Sequence, residues 1–232
     1  MPVQAHFPRL KIIIKGVRLS EKYHVYRFME FDNDVKIIFD YCEGELLYKY
    51  VNREDITKDQ ICGLIMDLAS LLDNYREARK KGPYEGINPY SVLITKKEEV
   101  LLLNMKEESN AFVNKKMQNN SMKENFHKAY NKVCVESGID EDMFTFAVTV
   151  GYIMTTVTDK VKFTKRDQKR LMNVISRCIG EKRKIYADFK VIGTDLKKCL
   201  DEDYKRVQKK TTAAITMLVL LLVILSFVSA FF

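Results

Sequence analysis

From Val35 to Tyr75 the chain reads VKIIFDYCEGELLYKYVNREDITKDQICGLIMDLASLLDNY, and its period changes midway. Val35-Lys36-Ile37-Ile38-Phe39-Asp40-Tyr41 is β-branched and aromatic, and it follows the turn signal Asp32-Asn33-Asp34, which predicts a strand leaving a turn. Thr57-Lys58-Asp59-Gln60 then has the form of a capping box, in which the Thr and Gln side chains satisfy free backbone amides at a helix start. After it, Ile61, Leu64, Ile65, Leu68, Leu71, Leu72 and Tyr75 recur at three- and four-residue intervals, which predicts a helix over 57–79. Lys80-Lys81-Gly82-Pro83 ends it.

Upstream, Leu10-Lys11-Ile12-Ile13-Ile14-Lys15 and Tyr23-His24-Val25-Tyr26-Arg27-Phe28 have strand composition, so three strands in a small antiparallel meander are expected. Downstream, Ser91-Val92-Leu93-Ile94 and Val100-Leu101-Leu102-Leu103 flank the polar Lys96-Lys97-Glu98-Glu99 and predict a hairpin. Residues 106–123 are polar and Asn-rich, and are expected to form a loop. Helices are expected near 124–137, 142–157, 165–180 and 188–207. A small sheet followed by a helical body with an inserted hairpin is an α+β pattern.

The end of the sequence is of another kind. Residues 212–232 read TAAITMLVLLLVILSFVSAFF, without charge, Pro or Gly. At the helical rise, that run spans about 30 Å, the thickness of a hydrocarbon core. It is expected to be a transmembrane tail anchor, preceded by the basic juxtamembrane segment 205–211. Lys205, Arg206, Lys209 and Lys210 in that flank place it on the cytoplasmic side. Residues 1–10 contain His6, Pro8 and Arg9 and have no apolar core of a secretory signal.

Of the 232 residues, 47% are hydrophobic and 30% charged, with only 9 Gly and 4 Pro, a composition that folds and excludes long flexible linkers. Cys42, Cys62, Cys134, Cys178 and Cys199 are scattered and never in CxxC spacing, so neither a disulfide framework nor a zinc site is expected. His6, His24 and His127 lack metal-ligand spacing, and there is no G-x-S-x-G elbow. The formal charge is +8. A basic cluster comprises Lys160, Lys162, Lys165, Arg166, Lys169, Arg170, Arg177, Lys182, Arg183 and Lys184, with only Asp167 and Glu181 against it. On a tethered domain such a face meets anionic lipid, at about 1 kcal/mol per cation, or an acidic partner. Lys165, Arg166, Lys169 and Arg170 are its expected centre. Nucleic acid is disfavoured, since no recognition module is present.

Certain strings resemble the protein-kinase fold from its hinge onward, over about residues 35–200. Residues 35–47 look like the fifth kinase strand, the hinge and the short helix after it. Asn88-Pro89-Tyr90-Ser91-Val92-Leu93-Ile94 is similar to the second half of a kinase catalytic loop. Asp142-Met143-Phe144-Thr145-Phe146-Ala147-Val148-Thr149-Val150 resembles the start of the buried helix of the C-terminal lobe. The resemblance implies a small β-rich lobe over 1–44, a helical lobe over 45–204, and a role for Asp142 as a brace of the catalytic-loop backbone.

It also implies lost catalysis. Phosphoryl transfer needs groups that hold Mg²⁺, position a triphosphate and orient the hydroxyl nucleophile. The catalytic Asp falls at Gly86, the second metal ligand at Ser91, and the metal-binding turn at Asn104-Met105-Lys106. No G-x-G-x-x-G occurs, and no V-A-I-K-like strand with a partner Glu. The expectation is a pseudokinase without cofactor or metal, acting as a scaffold for a protein partner at the membrane. A degenerate but active Ser/Thr kinase is the rival enzyme reading. The membrane component of type VII secretion (the EssB/YukC type) is similar in architecture, with a pseudokinase-like domain, a basic flank and one span. That implies a bacterial plasma membrane and a structural role in a secretion assembly; separately, an oligomer is compatible with the sequence.

Overall fold

The computed structural model describes residues 22–197, apart from 33, 81, 85, 120, 121, 123–125, 127–137, 182 and 183. The strand expected at 10–15, nearly all of the helix expected at 124–137, the basic flank 205–211 and the apolar run 212–232 lie outside the described residues. Among the described residues, no helix is long and apolar enough to cross a membrane.

The chain is α+β, with strands β1 (Lys22–Phe31), β2 (Asp34–Glu43), β3 (Glu45–Leu46), β4 (Val92–Ile94) and β5 (Val100–Leu103) in one five-stranded antiparallel sheet of order β2-β1-β5-β4-β3. Strands β1 (Lys22–Phe31) and β2 (Asp34–Glu43) form a hairpin whose register runs from Lys22↔Glu43 to Phe31↔Asp34. That register leaves a two-residue turn, in which Asp32 adopts φ 51°, the left-handed conformation that Asp tolerates better than most residues. The guanidinium of Arg27 on β1 pairs with Asp40 on β2 at 2.8 Å and also reaches Glu99, so one side chain ties the hairpin to the turn before β5.

After β3 (Glu45–Leu46) and the single turn α1 (Leu47–Tyr50), the chain enters α2 (Lys58–Ala78). Thr57 and Gln60 form the expected capping box there. The buried residues of α2 are Ile61, Leu64, Ile65, Leu68, Ala69, Leu72 and Tyr75. Leu71, expected inside, is only half-buried against the core, because it lies at the edge of the apolar stripe.

The hairpin β4 (Val92–Ile94) and β5 (Val100–Leu103) joins the same sheet, with β5 pairing to β1 at Val25↔Leu103 and Tyr26↔Leu102. The sheet therefore runs through residues on both sides of position 44. Helices α4 (Glu141–Val157) and α5 (Lys165–Cys178) complete the described body, with helical backbone again over 189–197. Helix α4 is apolar nearly all round, as its burial between neighbours requires, and Asp140 caps it by accepting the Met143 amide at 3.2 Å.

Residues 106–123 correct the expectation of a loop. A 3₁₀ turn covers Glu108–Asn110, and α3 runs over Phe112–Met117. Val113 and Met117, four residues apart, are buried against Tyr23, Val25, Leu101 and Leu103 on the second face of the sheet. The larger core, built from α2, α4 and α5, lies on the other face with Tyr26, Val92 and Leu102. Two apolar residues at helical spacing outweigh the Asn and Lys around them, since a sheet face exposed to water is the alternative.

Candidate functional site

The connection from α2 to β4 carries Gly86 and Ser91, two of the residues singled out in the sequence, and buried polar groups fasten it at both ends. Asp142 lies in the first turn of α4 and is fully buried. Both its carboxylate oxygens accept from the Tyr84 amide, at 3.1 and 2.9 Å. Burial pushes the Asp142 carboxyl up to about 6, opposed by the Tyr84 amide, which favours the charged form. The Tyr84 hydroxyl donates to the Leu103 carbonyl at 2.7 Å and lies 3.3 Å from that of Ser91. Its ring meets Tyr26 and Tyr75 edge-on, at 6.3 and 5.2 Å between centroids. Tyr84 thus joins α4, the α2–β4 connection and the end of β5.

Gly86 has φ 95°, a conformation that glycine adopts freely and an L residue does not. A Cβ placed there would meet Thr145 at 3.7 Å and the Glu141 carboxylate at 3.8 Å, so backbone conformation is the constraint at this position, with space to spare. The Gly86 carbonyl accepts from the Asn88 amide side chain at 3.2 Å. Ser91 is fully buried. Its hydroxyl oxygen accepts from the Asn88 backbone amide at 3.0 Å and donates to the Asn88 carbonyl at 3.1 Å. One donor and one lone pair of that hydroxyl are thereby used on the loop's own backbone.

Asn104, the residue after β5, is buried and bound on both atoms of its amide. Its Oδ1 accepts from the Tyr26 hydroxyl at 2.7 Å and from the Lys106 amide at 3.1 Å. Those two donors fix the flip of the amide, so Nδ2 donates to His24 Nδ1 at 3.0 Å, and the imidazole proton sits on Nε2. The Asn104 amide donates to the His24 carbonyl at 2.9 Å. Asn110, wholly buried, donates through Nδ2 to the carbonyls of His24, at 2.7 Å, and Asn104, at 2.9 Å.

Gly86, Ser91, Asn104 and Asp142 therefore share one connected set, hydrogen-bonded through Tyr84 and Asn88 and joined to Asn104 by its peptide bond to Leu103, whose carbonyl the Tyr84 hydroxyl binds. His24, Tyr26, Tyr84, Asn88 and Asn110 belong to it as well and were not foreseen. The sequence holds no signal for most of them, because the Asn104 and Asn110 bonds join residues 78 to 86 positions apart. Asn88 lies within the string that resembles a kinase catalytic loop, but was not singled out there. Chemically the set is rich in neutral donors and acceptors mostly paired with one another, with Asn110 Oδ1 buried and without a hydrogen-bond partner. Its one carboxylate, Asp142, is occupied by a backbone amide. Among the described residues, no three His, Cys, Asp or Glu side chains converge where a metal ion could be held.

The basic residues lie elsewhere, on α5. Lys165, Arg166 and Lys169 are exposed and Arg170 is half-buried. Two members of the wider cluster serve as internal ties and not as surface charge. Lys160 donates to the Asn52 carbonyl at 2.6 Å, and Arg177 pairs with Asp195 at 2.6 Å and lies 3.6 Å over the Tyr186 ring. Lys205, Arg206, Lys209 and Lys210 fall outside the described residues. No protein-family model matches this chain, and no curated protein matches it.

Proposed function

We propose that the chain is a catalytically inactive, kinase-like domain, tethered by residues 212–232, that binds a protein partner at the cytoplasmic face of a membrane. The observation that carries this reading is the saturation of the Asn104 side chain. In the resemblance drawn from sequence, Asn104 stands where a kinase presents a carboxylate to Mg²⁺. Here both amide atoms are engaged with Tyr26, Lys106 and His24, so coordinating a cation would strip a buried network of its partners. Breaking such bonds leaves unsatisfied groups at about 1–3 kcal/mol each.

Further support comes from Ser91, whose hydroxyl is turned onto Asn88, and from Gly86, which supplies no proton acceptor. The Asp142–Tyr84 contact supports the structural half of the resemblance, since it is a brace of loop backbone by a buried carboxylate. The exposed cations Lys165, Arg166 and Lys169 suit a domain held against anionic headgroups. The reading is tested by thermal unfolding of the full-length chain in detergent with Mg²⁺ and ATP. It predicts no shift at millimolar nucleotide, and a magnesium-dependent rise in Tm would overturn it.

A further inference from the structure

The outer strand of the sheet ends the described structure in an unusual way. β2 is ten residues long, and among the described residues no strand pairs with its outer edge. An uncovered edge of that length is a template for another strand, and proteins commonly blunt it with charge, bulges or cover. Here the charges of residues 34–41 (Asp34, Lys36 and Asp40) all lie on one face, and the other face is apolar. Phe39 stacks on the His24 ring and Tyr41 meets it edge-on, yet they stay 57% and 53% exposed, and Ile38 on the opposite face is 41% exposed.

The two faces of β2 differ in chemistry. Residues 35, 37, 39 and 41 are Val, Ile, Phe and Tyr, whereas 34, 36, 38 and 40 are Asp, Lys, Ile and Asp. The segment at 10–15 carries the matching alternation. Leu10, Ile12 and Ile14 fall on one side of an extended strand, and Lys11, Ile13 and Lys15 on the other. Laid along β2, its apolar side continues the row of Ile37, Phe39 and Tyr41. Lys11 and Lys15 are four residues apart and Asp34 and Asp40 six, so a single register sets one of the lysines opposite one of the aspartates.

Charge agrees over a wider stretch. Residues 1–20 hold Arg9, Lys11, Lys15 and Arg18 and no acid, while the β1–β2 hairpin holds Glu30, Asp32, Asp34, Asp40 and Glu43 against Lys22, Arg27 and Lys36. Reach agrees too. Lys22 starts β1 directly opposite Glu43, the end of β2. Seven residue steps separate Lys15 from Lys22, enough for about 24 Å, while crossing β2 takes two strand spacings, about 10 Å.

We propose that residues 10–15 pair along the outer edge of β2 as a sixth strand, covering Phe39 and Tyr41 and making the amino-terminal arm the occupant of this surface. The proposal does not depend on the functional reading above.

The test uses the full chain in detergent, with Ile12→Cys combined in turn with Ile37→Cys, Phe39→Cys and Tyr41→Cys, and Ile13→Cys combined with the same three. Opposed residues on one face come within disulfide range, while those on opposite faces do not. At least one Ile12→Cys pair is expected to give an intramolecular disulfide, identified by peptide mass, and the Ile13→Cys pairs none. Hydrogen exchange on the unmodified chain provides an independent reading, with 10–15 expected to exchange roughly a hundredfold slower than an open peptide. Ile13→Pro is expected to abolish that protection and to speed exchange in β2. Exchange of 10–15 at the open-peptide rate would overturn the proposal. So would equal cross-linking from position 13, or disulfides formed only between two copies, which would make a second chain the occupant.

Discussion

Both carboxylate oxygens of Asp142 receive the backbone amide of Tyr84, across 58 residues of sequence and entirely out of contact with water. The pairing fastens the α2–β4 connection to the start of α4, and through the Tyr84 hydroxyl to the ends of β4 and β5. It also places an ionisable group where ionisation is disfavoured, which gives the fold a measurable pH dependence.

The folded-state value for Asp142 is raised from 3.8 to about 6. Between those values the folded chain binds more proton than the unfolded one, so this group's contribution is fully present below about 4 and is lost as pH rises through about 6. The size is about 2–3 kcal/mol by the conversion of pKa difference to free energy. Asp142→Asn does not titrate. Denaturant unfolding from pH 4 to 7 is therefore expected to show the wild type losing stability relative to this variant as pH rises. Asp142→Ala, which leaves the Tyr84 amide unpaired, is expected to be less stable by about 1–3 kcal/mol.

Under the proposed reading, Asn104→Asp introduces a carboxylate without creating a metal site. One oxygen can keep the Tyr26 and Lys106 donors, but the other replaces Nδ2 and faces the lone pair of His24 Nδ1. A loss of about 1–3 kcal/mol in unfolding free energy is expected, with no gain in magnesium affinity by calorimetry. A variant that bound Mg²⁺ tightly and kept its stability would show that the amide is not committed to the fold.

Much of the architecture could be read from local pattern. The Thr57–Gln60 box, the alternation of 35–41 and the hairpin either side of Lys96–Glu99 are signals carried within a few residues, and each element stands where its signal lies. What failed was composition used in place of spacing. Asn114, Lys115 and Lys116 made 106–123 resemble a loop, although Val113 and Met117 already stood four apart. The polar site was legible only in outline. Ser91 and Asn104 stood out through the family resemblance, but their partners His24, Tyr26 and Asn110 are set by sheet pairing between β1 and β5, which no local pattern records.

Val113→Ala and Met117→Ala test that correction. If α3 covers the second face of the sheet, each is expected to destabilise the chain by about 1–3 kcal/mol in denaturant unfolding, as truncation of buried side chains does. Lys115→Ala and Lys116→Ala, on exposed positions of the same helix, are expected to stay within about 0.5 kcal/mol of wild type.

Tethering has its own test. Deleting residues 212–232 is expected to move the chain from the membrane fraction to the soluble fraction on cell fractionation. Reversing Lys165, Arg166 and Lys169 to Glu in the truncated chain is expected to weaken its binding to vesicles containing phosphatidylserine. Retention of the truncated chain in membranes after a high-salt wash would contradict a tether at this segment.

The central proposal is that no phosphoryl transfer occurs at a set in which the Ser91 hydroxyl and both amide atoms of Asn104 are engaged within the fold. The most direct measurement is transfer of label from γ-labelled ATP with Mg²⁺, to the full-length chain itself and to a generic protein substrate, in detergent and in vesicles. The prediction is incorporation no greater than in the absence of the protein, unchanged in Ser91→Ala and Asn104→Ala. Label transferred by the wild type, and lost in either variant that still folds, would contradict it.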